Sequence, residues 1–143
     1  MKIKLILKNQ KGASAVEFAL ILPLLVLVIF GIIEFGLILY NQQVITNASR
    51  EAARAGIVVG LDRPGNEHET ISHNTAFNYC SNHLVTFTDN PSPLSISPPP
   101  TSGAAISGDD LTVTITYLYD FLVLSSLGFG PVTLDAKTIM KLE

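Results

Sequence analysis

The sequence is poor in residues that cross-link small folds or build reaction centres. It has one cysteine, Cys80, three histidines and no tryptophan in 143 residues. A single cysteine excludes an internal disulfide, so the fold must rest on core packing or on partner chains. The sequence shows no nucleophile–base pair, phosphate loop or clustered metal-ligand set, which argues against an enzyme. We therefore expect no catalytic residue, no metal and no cofactor.

Three residues could be imagined as metal ligands, namely His73, Cys80 and His83. They lack a further ligand at a spacing typical of metal sites. We expect instead a buried free cysteine and two surface histidines.

Charged residues are unevenly distributed along the chain. Four lysines occur in residues 1–12, where there is no acidic residue. Beyond residue 12, five Lys and Arg residues stand against twelve Asp and Glu residues, a side-chain balance of −7. A basic surface for nucleic acid is therefore absent, and no nucleic-acid partner is expected. The lysines are typical of the cytoplasmic flank of a membrane helix.

A long apolar run follows these lysines. Phe18 to Ile33 carries no charge, and apolar residues resume after Glu34 as far as Tyr40. As a helix, residues 18–40 would be roughly 35 Å long, whereas the hydrocarbon core of a bilayer is roughly 30 Å thick. The run is too long for a cleaved secretory signal, whose apolar part has about 7–15 residues. We expect a single-pass membrane helix with a cytoplasmic N-terminus and a periplasmic C-terminal domain.

The carboxylate of Glu17, at the front of this run, is not explained by a plain signal anchor. At the centre of a membrane helix a carboxylate costs roughly 2.5–3.5 kcal/mol, and it costs less near the interface. A free amine would be a suitable partner, and a cut after Gly12 would create one on Ala13. Ala13 and Glu17 are one helical turn apart, and the helix dipole favours an anion in the first turn.

The stretch GASAVEF, from Gly12 to Phe18, resembles the processing site of type IV prepilins: glycine, four residues, glutamate, aromatic. The resemblance extends over residues 12 to about 56. There it rests on an ordered set of features: AVEFA, Pro23, EFG at 34–36 and REAARAG. This set is similar to that of the TadE-like family of pseudopilins of the tight-adherence (Flp) pilus system.

The resemblance implies that a membrane aspartic peptidase cuts after Gly12, so that Ala13 becomes the mature terminus. It also implies that Glu17 and Phe18 take part in assembly. The implied partners are the prepilin peptidase, other pilin and pseudopilin subunits, the inner-membrane assembly platform and the lipid bilayer. The implied function is a minor structural subunit of a tight-adherence pilus, held in the bacterial inner membrane and then assembled into the pilus or used to prime it. The alternatives are a pseudopilin of a secretion system and a signal-anchored periplasmic binding domain.

Two further residues are candidate contacts of the membrane helix. Pro23 is either a proline that a membrane helix tolerates or a point where the helix loosens in a filament. Glu34 is expected near the outer interface, where its carboxylate can reach water. It would act there as an interface anchor or as a contact to another subunit.

We expect an α+β fold in three parts: a leader at 1–12, a transmembrane and extended helix at 13–60, and a small periplasmic domain at 61–143. The helix continues beyond the membrane because small and apolar residues share one stripe, namely Val44, Ala48, Ala52 and Ala55.

The domain is expected to contain a second helix, from Asn66 to about His83, and an antiparallel sheet. Strands are predicted at 85–88, 111–119 and 132–143. The predicted inner faces of the last two strands hold Leu111, Val113, Ile115 and Tyr117, and then Val132, Leu134, Ala136 and Met140.

Two connections of the domain have unusual composition. The Pro/Ser-rich residues 90–108 predict a flexible loop with a short extended piece at Leu94–Ser97. The apolar residues 120–131 either cover the small core or dock another pilus component.

Overall fold

The helices and strands follow the sequence patterns closely. The computed structural model describes residues 10–58, 65–87, 94–97, 108 and 110–141. The elements are helix α1 (Gln10–Ile57), helix α2 (Gly65–His83), strand β1 (Leu94–Ser97), strand β2 (Asp110–Tyr119), a 3-10 helix (Leu124–Leu127) and strand β3 (Val132–Lys141). The α+β class is therefore confirmed, and so is the extended piece at β1. Most of the predicted loop 90–108 and most of the leader lie outside the described residues.

The chain divides into two compact units, Met1–Ile33 and Glu34–Glu143, and the boundary falls inside α1. In the first unit the structure describes residues 10–33. Pro23 lies within the helix, which continues on both sides of it. Most large apolar residues of this part are exposed, and α1 is long and apolar enough to cross a membrane. The first unit therefore fits a membrane anchor.

The second unit is built on a three-stranded antiparallel sheet with the order β1-β2-β3. Leu94 pairs with Tyr117, and Asp110 pairs with Lys141. Every second residue of β2, from Leu111 to Tyr119, is buried. Because successive side chains of a strand point to opposite faces, one face of β2 forms the core, as the alternation predicted.

Both helices contribute to the core on that face of the sheet. The buried cluster combines residues of α1, α2, β2 and β3, among them Ile45, Ala48, Ala52, Ala76, Cys80, Leu134 and Ala136. The predicted stripe of α1 is buried, except that Ala55 is only half-buried. The approach is tight at Gly56, where an added Cβ would lie 2.5 Å from Cδ2 of Leu111.

The strand predicted at 85–88 is wrong, because residues 84–87 have no regular structure. The side-chain amide of Asn41 forms hydrogen bonds with both the carbonyl and the N–H of Val85. Its Nδ2 donates to the Val85 carbonyl oxygen over 2.9 Å, and the Val85 N–H donates to Oδ1 over 3.0 Å. A primary amide offers one donor and one acceptor, as a neighbouring strand would. The periodic segment thus pairs with a helix side chain instead of the sheet.

Val132, predicted to face the core, is exposed. It is the first residue of the edge strand β3 and pairs with Tyr119. The ring of Phe121 packs edge-on against Tyr119, with 5.8 Å between ring centroids. Phe121 therefore covers Tyr119 of the central strand β2, whereas Val132, the partner of Tyr119 on the edge strand, stays exposed. Leu134 and Ala136 are buried as predicted, and Met140 is half-buried against the core.

Candidate functional site

The predicted processing and assembly residues lie in the first turns of α1. Gly12, Ala13, Glu17 and Phe18 are all helical and exposed. A Cβ added to Gly12 would meet no atom within 4 Å. Among the residues that the structure describes, no ion pair involves Glu17. Its carboxylate is therefore open to a partner from another chain.

Helical spacing places Ala13 and Glu17 on one face of this segment, because they are four residues apart. Phe18 follows directly and is 61% exposed. A carboxylate beside an aromatic ring on an uncovered helix can accept hydrogen bonds from a cationic group and pack against an apolar one. The arrangement suits binding between chains.

Glu34, the first residue of the second unit, is buried and only 2% exposed. Its Oε1 accepts hydrogen bonds from the Tyr119 hydroxyl over 3.1 Å and from the Leu122 N–H over 2.6 Å. The expectation that this carboxylate reaches water is wrong, because the end of β2 and the loop after it cover the side chain. A contact of Glu34 or Pro23 with another subunit stays a prediction.

Burial raises the pKa of Tyr119 above its ordinary value, and the hydrogen bond to Glu34 raises that pKa further. The phenol therefore stays protonated and can donate its hydrogen at neutral pH. The second carboxylate oxygen of Glu34, Oε2, is buried and has no hydrogen-bond partner within the described ranges. Buried polar atoms of this kind are rare, and each needs an explanation.

Sequence reasoning missed four buried polar residues of the second unit, namely Asn41, Ser49, His68 and Ser72. His68 Nδ1 lies 2.7 Å from the carbonyl oxygen of Gly56, one of the last carbonyls of α1, which have no partner inside the helix. Asn41 had a detectable signal: it lies seven residues after Glu34 and four before Ile45, in line with the apolar stripe of α1 that holds Ala48 and Ala52. His68 had none, because its partner is a backbone group.

The remaining side chains considered for metal binding lie as predicted. His73 and His83 are exposed, and Cys80 is buried and free. Burial raises the pKa of the Cys80 thiol to about 11. In the described part of the chain, no group of three or more His, Cys, Asp or Glu residues could hold a metal ion.

A comparison with protein families bears on α1. The family model described as TadE-like protein matches residues 12–54, which are 43 of the 143 residues. The matched range includes all the predicted site residues, from Gly12 to Glu34, and it confirms the TadE-like resemblance. No curated protein and no solved structure matches the chain.

Proposed function

We propose that this chain, whose residues 12–54 match the TadE-like protein family, is a minor pilin-like subunit of a tight-adherence type IV pilus. A prepilin peptidase cuts after Gly12, and the mature protein, starting at Ala13, is assembled into the pilus or primes its assembly. The protein is a structural subunit and the substrate of the peptidase. It remains in the bacterial inner membrane until it is assembled.

The observation that carries this proposal is the exposed Glu17 within a helix that fits a membrane anchor. A carboxylate in lipid needs a partner, and the uncovered helix offers it to a neighbouring chain. The new amino group of Ala13 on a neighbouring subunit is that partner. The pair would form only after the leader is removed, so that processing precedes assembly.

The second unit supports a minor role. Major pilins of the family that the chain resembles are typically much smaller, whereas this chain folds a separate unit from Glu34 onward. A sheet with two covering helices suits a subunit that starts or ends a filament. The lysines of the leader support a cytoplasmic N-terminus and, with it, a periplasmic second unit.

The processing step is tested with Gly12→Leu in cells that contain the prepilin peptidase. Leucine beside the cut should block processing, so intact mass should show residues 1–12 retained. Gly36→Leu is the matched control, because Gly36 is also an exposed helical glycine with no atom near its Cβ position. It should lose residues 1–12 like the natural protein. Normal processing of Gly12→Leu would contradict the proposal.

The assembly step is tested with Glu17→Gln. The neutral amide should permit cleavage but reduce recovery of the protein with other pilus subunits. Glu51→Gln is the control, because Glu51 is an exposed carboxylate on the same helix that pairs with Arg54 at the surface over 3.5 Å. Unchanged recovery of Glu17→Gln would remove the assembly role. Recovery of the natural protein with secretion-system subunits would favour the secretion pseudopilin.

A further inference from the structure

We propose that the β2–β3 loop, residues 120–131, rests in the outer interface of the lipid bilayer. Leu122 and Phe129 would be its inserted side chains. This inference rests on the membrane anchoring proposed above and adds a second membrane contact, made by the domain itself. The exposed apolar surface of the loop contacts the bilayer and does not bind another pilus component.

The first observation is where the loop is attached. Its Leu122 N–H donates to Oε1 of Glu34, and Tyr119, just before the loop, donates to the same oxygen. Glu34 follows the uncharged stretch Phe18–Ile33 directly in the sequence. The loop is therefore hydrogen-bonded to Glu34, the first charged residue after the apolar run.

The second observation is the length of that run. Phe18–Ile33 has sixteen residues, which span roughly 24 Å as a helix, less than the roughly 30 Å of a hydrocarbon core. A helix that enters the bilayer near Phe18 has therefore not left it at Glu34. Beyond Glu34, α1 still exposes Phe35 and Leu39. The loop bound to Glu34 lies at the depth of the outer interface.

The third observation is the composition of the loop. Residues 121–134 carry no charge, and Asp120 and Asp135 flank them. Leu122 is 42% exposed and Phe129 is 56% exposed. Leucine and phenylalanine are among the apolar residues that interfacial elements bury at the boundary between headgroups and acyl chains.

The loop is also held in shape, so these side chains are displayed by an ordered backbone. The 3-10 helix Leu124–Leu127 ends at Gly128, which has a φ of 89°. The Gly128 N–H donates to the Ser125 carbonyl over 3.1 Å, and the Phe129 N–H donates to the Leu124 carbonyl over 3.2 Å. The left-handed turn favours glycine and fixes the backbone of Phe129.

The proposal also accounts for the buried Glu34. Its carboxylate would otherwise face lipid, where an unpaired polar group is costly. The loop supplies an N–H and β2 supplies a hydroxyl, both to Oε1, and the same contact carries apolar side chains to the interface. Glu34 is thus a positioning residue for the loop.

The absence of tryptophan from the sequence gives a direct test, because each introduced tryptophan is the only one. Three full-length single variants are placed in phosphatidylcholine vesicles, with and without brominated acyl chains that quench tryptophan emission. Phe129→Trp reports on the loop and Leu27→Trp on the anchor. Ile139→Trp is the matched control: Ile139 is an exposed apolar residue of β3, paired with Thr112 towards the other end of the sheet.

We expect Phe129→Trp to emit at short wavelength and to lose most of its emission in brominated vesicles. Leu27→Trp should be quenched as well, and Ile139→Trp should emit as in water, unquenched. If Leu27→Trp is quenched but Phe129→Trp is not, the loop proposal is overturned and the anchor stands. If Leu27→Trp is not quenched, the anchoring itself is overturned.

A short-wavelength, unquenched emission from Phe129→Trp would mean that protein covers the loop, and it would also overturn the proposal. Leu122→Trp provides a second reporter on the loop, should Phe129→Trp fail to fold. The same quenching is expected from it.

Discussion

The hydroxyl of Tyr119 donates a hydrogen bond to Oε1 of Glu34 over 3.1 Å, joining residues that are 85 positions apart. The same oxygen accepts the Leu122 N–H over 2.6 Å. One carboxylate oxygen therefore ties α1 to the end of β2 and to the start of the β2–β3 loop. Because Tyr119 and Glu34 are both buried, the contact is shielded from water, where it would be weak.

Replacing Tyr119 by phenylalanine should lower the free energy of unfolding by about 1–3 kcal/mol, because the buried carboxylate loses a donor while the ring is kept. Glu34→Ala should cost more, since it leaves both the hydroxyl and the Leu122 N–H without their acceptor. Denaturant unfolding in detergent, followed by circular dichroism, measures both changes. The control is Glu51→Ala at an exposed position, which should change stability by no more than about 0.5 kcal/mol. Tyr119→Phe as mild as this control would contradict the account.

Asn41→Ala should destabilise the second unit by about 1–3 kcal/mol, because it leaves the N–H and carbonyl of Val85 unpaired. Asn41→Asp discriminates between packing and hydrogen bonding. The carboxylate is nearly isosteric and can still accept from the Val85 N–H, but it places an oxygen against the Val85 carbonyl oxygen. It should therefore be destabilising as well. Gln43→Ala, which removes an exposed contact to Asn47, is the control and should be nearly neutral. A neutral Asn41→Asp would show that packing alone matters at this site.

The parts of the fold that the sequence predicts well are those governed by local periodicity. β2 alternates over its whole length, and α1 repeats small and apolar residues on one stripe. Each pattern can be satisfied in only one secondary structure. The short apolar piece at β1 was detectable for the same reason, since Leu94 and Ile96 stand between turn-forming residues.

The failures have a different physical origin: they depend on partners distant in sequence. Val85 alternates like a strand residue, yet its backbone is paired by Asn41, 44 residues earlier. Glu34 looks accessible to water until Tyr119 and Leu122, 85 and 88 residues later, cover it. The processing motif, in contrast, is read as a linear pattern, so the candidate residues from Gly12 to Phe18 could be named without the fold.

Gly56→Ala tests the close approach of α1 to α2 and β2. An added Cβ would lie 2.5 Å from Cδ2 of Leu111 and nearer still to Oγ of Ser72, and both side chains are buried. Overpacking of this kind typically costs about 1–3 kcal/mol. Gly36→Ala is the control, because its Cβ would meet no atom within 4 Å. It should be neutral or stabilising by up to about 1 kcal/mol through helix propensity. Equal stability of the two variants, measured by denaturant unfolding, would show that the helices can separate at no cost.

The buried thiol of Cys80 should make stability fall at high pH. Its pKa is raised from an ordinary 9.0 to about 11, because burial disfavours the thiolate. Between these values the unfolded chain loses the proton and the folded chain keeps it. Stability is therefore full below pH 9 and declines as pH rises towards 11, by up to about 2–3 kcal/mol in total.

Burial also raises the pKa of Tyr117 and of Tyr119, so these residues add a decline in the same direction, starting above their ordinary value of 10. Unfolding measured from pH 8 to 9.5 therefore reports mainly on the thiol. Cys80→Ala should flatten the pH dependence in this range, whatever its effect on stability at pH 8. In the natural protein, iodoacetamide at pH 8 should modify Cys80 slowly when folded and rapidly in denaturant. Fast modification of the folded protein, or an unchanged slope in Cys80→Ala, would show that the thiol is accessible to water.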